Sequence, residues 1–387
     1  MLAMHPKVLD AKKRMARYYI QRLRELHTLS EQDGHHMREA LNRYDAESNQ
    51  IEQTLAWLDE HSDDDVDAED LFSEMLIAGR LIFLERVDFS QLLDFYQKAL
   101  ATAEVHDDVD NQLVCLGMIS KIYVYLSQYE QAYAYYQQRY ALSRQSGHHQ
   151  QTADSMYRLG FICNAIGREA EARDWLQNAV SLYLDMRNPQ DMVDCFITLA
   201  RGALQLGKWQ QCEEYLDQAY HIVNKAHNSN LKVKVLNLLG DLKEKTGDRE
   251  AVIEHRNEAL DIAKARDNKR EILYASMSLG ITYDTQADFP KAQHHYHVAL
   301  KIAEQIGLQR PRLAVLSNLG YSYYLVGDYD LARDYTEDAL NLFLDVQSHY
   351  PACVTMANLA AIYIKLEALP EARQVVHDGM QLAVDLE

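Results

Sequence analysis

Apolar residues recur along the chain with helical spacing, and the pattern itself repeats at a fixed step. The segment LGYSYYLVGDYDLARDYTEDAL, beginning at Leu319, aligns without a gap on LGITYDTQADFPKAQHHYHVAL, which begins 40 residues earlier at Leu279. The same step carries Gly320 back through Gly280, Gly240, Ala200, Gly160 and Ser120 and forward to Ala360, all small residues that let two helices approach closely. A second phase holds Gly327, Ala287, Gly247, Gly207, Gly167 and Ser127. Glycine after an apolar-periodic run marks a helix end, because it takes the left-handed conformation without steric cost, so this phase reads as a helix–turn–helix corner. A third phase holds Ala132, Ala172, Cys212, Val252, Ala292, Ala332 and Ala372. A fourth holds Ala99, Ala179, Ala219, Ala259, Ala299 and Ala339, with Arg139 and Gly379 as exceptions. Both are expected to face the partner helix inside a hairpin. Agreement of four independent phases specifies a repeat array.

The pattern predicts helix pairs at 70–86 and 90–105, 110–126 and 130–146, 150–166 and 170–186, 190–206 and 210–226, 230–246 and 250–265, 270–286 and 290–306, 311–326 and 330–346, and 350–366 and 370–386. Ser146-Gly147-His148-His149, Arg187-Asn188-Pro189, His227-Asn228-Ser229-Asn230 and Gln309-Arg310-Pro311 supply the turn-forming connectors. The first pair is the most degenerate, with Arg80 where the small residue belongs. Residues 66–387 therefore read as about eight helix pairs, and 1–65 as a separate N-terminal helical segment. In that segment Met15, Tyr18, Tyr19 and Leu23 share one face and Ile51, Leu55 and Leu58 another. The acidic run HSDDDVDAED from His61 reads as a linker that caps the next helix.

The motif L-G-x-x-Y-x-x-x-G-x-Y-x-x-A-x-x-x-x-x-x-A-L, read from Leu319 to Leu340, resembles the tetratricopeptide repeat, and the resemblance covers residues 70 to 387. The usual unit of that family is about 34 residues. The longer step resembles the arrays of kinesin light chains, LGN-type polarity proteins and bacterial signalling regulators. This implies an all-α fold: a right-handed superhelical solenoid of about eight stacked hairpins with an N-terminal helical segment. KKRMARYYIQRLREL from Lys12 and ALNRYDAESNQIEQTLAWLDE from Ala40 resemble the helical region that joins the ATPase module to the repeat arm in bacterial STAND-type regulators. That family's E-x-x-N-[L/I] run becomes Glu47, Gln50 and Ile51 here, with Trp57 downstream. No G-x-x-x-x-G-K-[ST] occurs, so the cradle for a triphosphate is missing. The implied role is a sensor arm without its nucleotide switch.

Composition narrows the function classes. Only 15 Gly and 6 Pro, with 48% hydrophobic residues, leave too few turn-formers for a many-stranded β protein. With 39 Lys and Arg against 58 Asp and Glu the formal charge is −19, which argues against direct nucleic-acid binding. Cys115, Cys163, Cys195, Cys212 and Cys353 are scattered and form no C-x-x-C, so they read as small buried residues. His294, His295 and His297 cluster, but no third ligand spacing accompanies them, and His295 falls where Tyr335, Tyr215, Trp175 and Tyr135 pack in other units. No metal and no cofactor are expected. Tyr123, Tyr283, Tyr323 and Tyr363 recur at one phase and read as core. No G-x-S-x-G is present and nothing marks an activated nucleophile, so no enzymatic activity is expected. Without a signal-peptide core or an apolar run long enough to span a bilayer, the expectation is a cytoplasmic protein with no membrane contact.

In tetratricopeptide arrays the first helix of each pair lines the concave surface. By that resemblance, the positions one and four residues after the small phase, and two or three before it, face the groove. They hold Lys121, Tyr157, Arg158, Phe161, Asn164, Arg201, Asn237, Asp241, Asn318, Tyr321 and Tyr324. Asn318 and Asn358 precede a Leu-small pair, as in kinesin-light-chain-like and LGN-like repeats, where such asparagines hold the backbone of an extended peptide. An amide offers both donor and acceptor for that purpose. Ser317, Met277, Asn237, Ile197 and Tyr157 occupy the phase where a chaperone-tail carboxylate clamp needs lysine, so no such clamp is expected. The reading is a non-catalytic scaffold that recognises a peptide or protein segment in bacterial signalling or transcriptional regulation. Two alternatives stay open: a sensor of a small-molecule inducer, and an assembly scaffold that uses its end faces. Val375, Val376, Met380, Leu382 and Ala383 at the last helix would favour a homodimer through that face.

Overall fold

A computed structural model of the chain describes residues 6–30, 34–226, 228–345 and 349–384. Every regular element among them is a helix: α1 (Pro6–Ser30), α2 (Gly34–His61), α3 (Val66–Arg86), α4 (Phe89–Val105), α5 (Val109–Tyr125), α6 (Tyr129–Gln145), α7 (His149–Ala165), α8 (Glu169–Asp185), α9 (Pro189–Gln205), α10 (Trp209–Ala226), α11 (Ser229–Thr246), α12 (Arg249–Ala265), α13 (Lys269–Thr285), α14 (Phe289–Ile306), α15 (Gln309–Val326), α16 (Tyr329–Asp345), α17 (His349–Lys365) and α18 (Leu369–Val384). From α5 onward each first helix starts 40 residues after the previous one. Helices from α3 onward begin one to four residues ahead of the ranges read from the apolar pattern. Asp88, Asp108, Asp248, Asn268 and Asp288 cap them with side-chain oxygens on orphan backbone N–H groups.

The corners take the conformation that the glycine phase predicts. Gly327, Gly247, Gly207 and Gly167 are left-handed, and Ser127 and Ala287 are held in the same region, at φ 58° and 59°. In the acidic linker, Asp65 caps α3 through the N–H groups of Asp67 and Ala68 and pairs with Lys13 at 2.7 Å.

The chain divides into two compact units, residues 1–195 and 196–387, the division falling within α9. In unit 1 one continuous core joins Leu23 of α1, Tyr44, Ile51 and Leu58 of α2, Phe72 and Phe83 of α3, Tyr96 of α4 and Ile119 of α5, while Ala132, Tyr136, Leu159 and Ile162 form a second cluster. In unit 2 the clusters gather around Leu279, Tyr296 and Leu319, and around Leu340, Met356 and Leu359.

One rule organises the hairpins. From Ser120 to Gly320, the residue 16 positions after each small residue is buried on the second helix and packs toward it, whereas Val376, 16 after Ala360, is exposed. A Cβ at Gly160 would collide with Leu176, at Gly280 with Tyr296 and at Gly320 with Thr336. At this phase stand Tyr136, Leu176, Leu216, Tyr296 and Thr336, all buried, and among them a buried arginine, Arg256.

Three sequence expectations need correction. Tyr18 is 56% exposed, lying beside the buried stripe of Ala16, Tyr19, Ile20 and Leu23 and packing edge-on against Tyr19. Cys353 is only partly buried. Tyr123, Tyr323 and Tyr363 are half-buried at the seam of each hairpin instead of in the core. Tyr123 stacks on Tyr135, Tyr323 on Tyr335, and the buried Tyr283 on His295.

Candidate functional site

In unit 1, α5 and α7 place Lys121, Tyr157 and Arg158 near one another, with Phe161 and Asn164 one and two turns further along α7. The Arg158 guanidinium lies 5.3 Å from the centroid of the Tyr157 ring and its Nε 3.5 Å from Asp154 Oδ1. The other oxygen of Asp154 is taken by Arg139, which reaches across from α6 with Nη1 at 2.6 Å. Arg139 also donates to the Leu113 carbonyl at 3.0 Å, which explains why an arginine interrupts the alanine phase there. Lys121 is half-buried. Burial, and then the charge of Arg158, pull its ammonium below its ordinary pKa. Arg80 of α3 adds a further positive charge to that environment. Arg80 also lines the rim of a cavity of about 680 Å³ shared with Arg24, Ser73, Glu74, His106 and Asn111.

In unit 2 the same helix face carries carboxylates that are already matched. Arg256 donates from Nη2 to Glu244 Oε2 at 2.7 Å and to Asp241 Oδ1 at 3.2 Å, while Nη1 reaches the Ser278 carbonyl and the Thr282 hydroxyl. One repeat later Tyr296 Oη donates to Asp284 Oδ2 at 2.9 Å and Ser322 Oγ to Oδ1 at 2.8 Å. In both repeats the inserted residue of the second helix holds an acid 12 positions upstream. Burial raises the Asp284 pKa despite those two donors. Arg201 is exposed on α9 and Asn237 half-buried on α11.

Further along unit 2, a pocket of about 240 Å³ opens between α15, α16 and α17. Tyr321, Tyr324, Ser317 and Gly320 form one wall, Thr355, Asn358, Ala361 and Ile362 the other, and Thr336 contributes from α16. Of the sequence candidates the pocket gathers Tyr321, Tyr324 and Asn358. Asn318, half-buried on α15, is not among its lining residues. Thr336, Thr355 and Ile362 were not named from the sequence. Thr336 sits on the inserted-residue phase, and neither threonine departs from ordinary helix composition. Tyr321 is 59% exposed, so its ring is available to a ligand.

Among the described residues no helix is long and apolar enough to cross a membrane, and no cluster of three metal-ligating side chains occurs. Burial raises the Cys163 and Cys212 thiols to about 11 and Cys115 to about 12.

Residues 195–265 match the family model of the tetratricopeptide repeat. No curated protein matches the chain in sequence. Among solved structures, a STAND protein with a tetratricopeptide repeat sensor from Pyrococcus horikoshii superposes with a TM-score of 0.57 at 17% identity, over 80% of this chain and 46% of that one. A Rap protein complexed with Competence and Sporulation Factor gives 0.51 at 14% identity, over 96% and 99% of the two chains. Aspartyl phosphate phosphatase F from Bacillus subtilis gives 0.54 at 12%, over 94% of each. At such identities the likeness is one of fold: the chain is an all-α scaffold of tetratricopeptide-type repeats.

Proposed function

We propose that this tetratricopeptide-repeat protein is a non-catalytic cytoplasmic receptor for an extended peptide or protein segment, working in a bacterial signalling or regulatory system. The pocket of Tyr321, Tyr324 and Asn358 carries the reading. Two tyrosine faces and several hydroxyls suit a side chain, and the exposed amide of Asn358 beside them offers a donor and an acceptor to the backbone that bears it. The Rap protein solved with Competence and Sporulation Factor supports a ligand-binding use of this fold. Fold alone does not decide against catalysis, since aspartyl phosphate phosphatase F has a similar one. Against it, burial pushes the Cys115, Cys163 and Cys212 thiols away from the thiolate that nucleophilic chemistry needs.

The test is selection of a displayed random-peptide library on the full chain, followed by affinity measurements on Tyr321→Ala and Asn358→Ala after equal helicity is confirmed. Each substitution is expected to weaken the selected peptides about tenfold or more, the usual cost of an unmatched polar or aromatic contact. Peptides that bind all three proteins equally would remove the pocket from the reading.

A second reading rests on α18, where Val376 and Met380 are 46% and 66% exposed. Such an apolar face suits a second copy of the chain. Met380→Glu would then lower the sedimentation-derived mass, and an unchanged mass would dismiss the homodimer. A small-molecule inducer would instead fill the 240 Å³ pocket and protect the protein thermally without any peptide.

A further inference from the structure

We propose that the first-helix face of unit 1 is an anion-binding surface that takes side-chain carboxylates of an acidic peptide segment between Arg80, Lys121 and Arg158. The inference deepens the peptide reading by naming the chemistry of a segment that unit 1 would hold, and it rests on that reading.

Four half-buried cations near the same helices hold carboxylates: Lys13 with Asp65 at 2.7 Å, Arg22 with Glu47 at 2.8 Å, Lys98 with Asp59 at 3.1 Å and Arg139 with Asp154 at 2.6 Å. Among the described residues Lys121 has neither an ion pair nor a hydrogen bond, and Arg80 donates only to the Ile77 carbonyl, at 2.9 Å. Arg158 shares Asp154 with Arg139 and holds it more loosely, at 3.5 Å against 2.6 Å. Three successive first helices, α3, α5 and α7, thus bring Arg80, Lys121 and Arg158 within electrostatic reach of one another, against Glu85 and an Asp154 already bound by Arg139. A partly desolvated cation without a partner costs free energy, and an incoming anion recovers it. The lowered pKa of Lys121 is consistent with that cost.

The setting selects the class of anion. Arg80 lines the 680 Å³ cavity, where Ser73 Oγ is buried with no hydrogen-bond partner among the described residues, so a ligand there meets a hydroxyl as well as charge. Asp70, Glu74 and Asp108 line the same cavity, and Glu85 and Asp154 also act on Lys121. These carboxylates would repel a phosphate dianion more than a singly charged carboxylate. A chain of charge −19 gives nucleic acid no general attraction.

The experiment uses the full chain and a fluorescein-labelled, terminally blocked peptide alternating glutamate and glycine, read by fluorescence anisotropy at fixed ionic strength. Its glutamine counterpart serves as control. The glutamate peptide should bind roughly tenfold or more tightly than the glutamine peptide, Lys121→Met should remove that preference, and Lys121→Arg should keep it. Glutarate should displace the probe at lower concentration than inorganic phosphate. No binding, equal binding of both peptides, or an unchanged affinity in Lys121→Met overturns the proposal, and more effective displacement by phosphate overturns its choice of ligand. Tyr321→Ala serves as the independent arm. It lies in the other unit, so if it fails to weaken library-selected peptides the proposed pocket fails while the anion site can still stand.

Discussion

One residue past the small phase, the first helices of unit 1 carry Lys121 and Phe161, and those of unit 2 carry Arg201, Asp241, Ile281, Tyr321 and Ala361. The backbone at these positions is the same and the state of the charges is not. In unit 2 the acids Glu244 and Asp284 are already engaged by Arg256, Tyr296 and Ser322, so that face holds its own counter-charge and leaves aromatic and amide groups at the Tyr321 pocket for a ligand. In unit 1 Lys121 and Arg80 form no ion pair among the described residues. A repeat therefore fixes where a side chain points, while the second helix, through the residue it inserts, decides whether the charge there is spent internally or offered outward.

Replacing Arg256 breaks the comparison most severely. Arg256→Ala removes a 5% exposed side chain, leaves a void against Gly240 and strips the donors from Ser278, Asp241 and Glu244. The expected loss is about 3 kcal/mol of unfolding free energy by chemical denaturation. Arg256→Leu, which restores the residue found at Leu216 and Leu176, should cost less than the alanine variant, because it refills the void and leaves only the partly exposed acids Asp241 and Glu244 without their partner. It should also release Asp241 and Glu244 and make the unit 2 face more acidic toward ligands. A loss as large as that of the alanine variant would show that Arg256 is needed for folding itself and not for neutralising the groove.

The corners sharpen the comparison from the other side, since both units use the same left-handed turn. Ser127 in unit 1 and Ala287 in unit 2 hold φ 58° and 59°, a region in which a side chain costs about 1 kcal/mol. Ser127→Gly and Ala287→Gly should each raise stability by up to about 1 kcal/mol, and by similar amounts. A gain confined to one unit would mean that the two frames are not equivalent.

What could be read from the sequence follows the same division. The 40-residue step, the helix pairs and the corners are legible because small residues and left-handed caps are local requirements that recur. The seam tyrosines were legible as a phase but not in their burial, because Tyr123 and Tyr323 stack on Tyr135 and Tyr335 at an edge that solvent partly reaches. At the candidate site, the groove phases named Tyr321, Tyr324 and Asn358 but not Thr336 or Thr355, which reach the pocket only once α16 and α17 are docked. The Arg256 and Tyr296 links were hidden because each joins residues 12 apart on different helices. An arginine standing where Leu216 and Tyr296 stand in the neighbouring units was the available signal.

The smallest expected effects distinguish the two faces by the sign of their pH dependence. Lys121 titrates below its ordinary value of 10.5, with burial and then Arg158 as the causes. The unfolded chain then binds more protons between the two pKa values, so the penalty is fully present at neutral pH and fades as pH rises toward 10.5. Asp284 titrates above its ordinary value of 3.8 because burial outweighs the donors Ser322 and Tyr296. Its penalty is also present at neutral pH but fades in the opposite direction, as pH falls through the folded pKa toward 3.8. Lys121→Met and Asp284→Asn should therefore each stabilise at pH 7 by less than about 1 kcal/mol, because both groups are partly solvated. In denaturation series across pH, the lysine variant should lose its advantage only on the alkaline side and the aspartate variant only on the acid side. An acidic ligand bound to unit 1 should reverse the first of these at neutral pH, since the ammonium then gains the partner it lacks, and it should leave the second unchanged. A lysine variant that stays the more stable protein with the glutamate peptide bound would mean that the charge at Lys121 is a cost without a use.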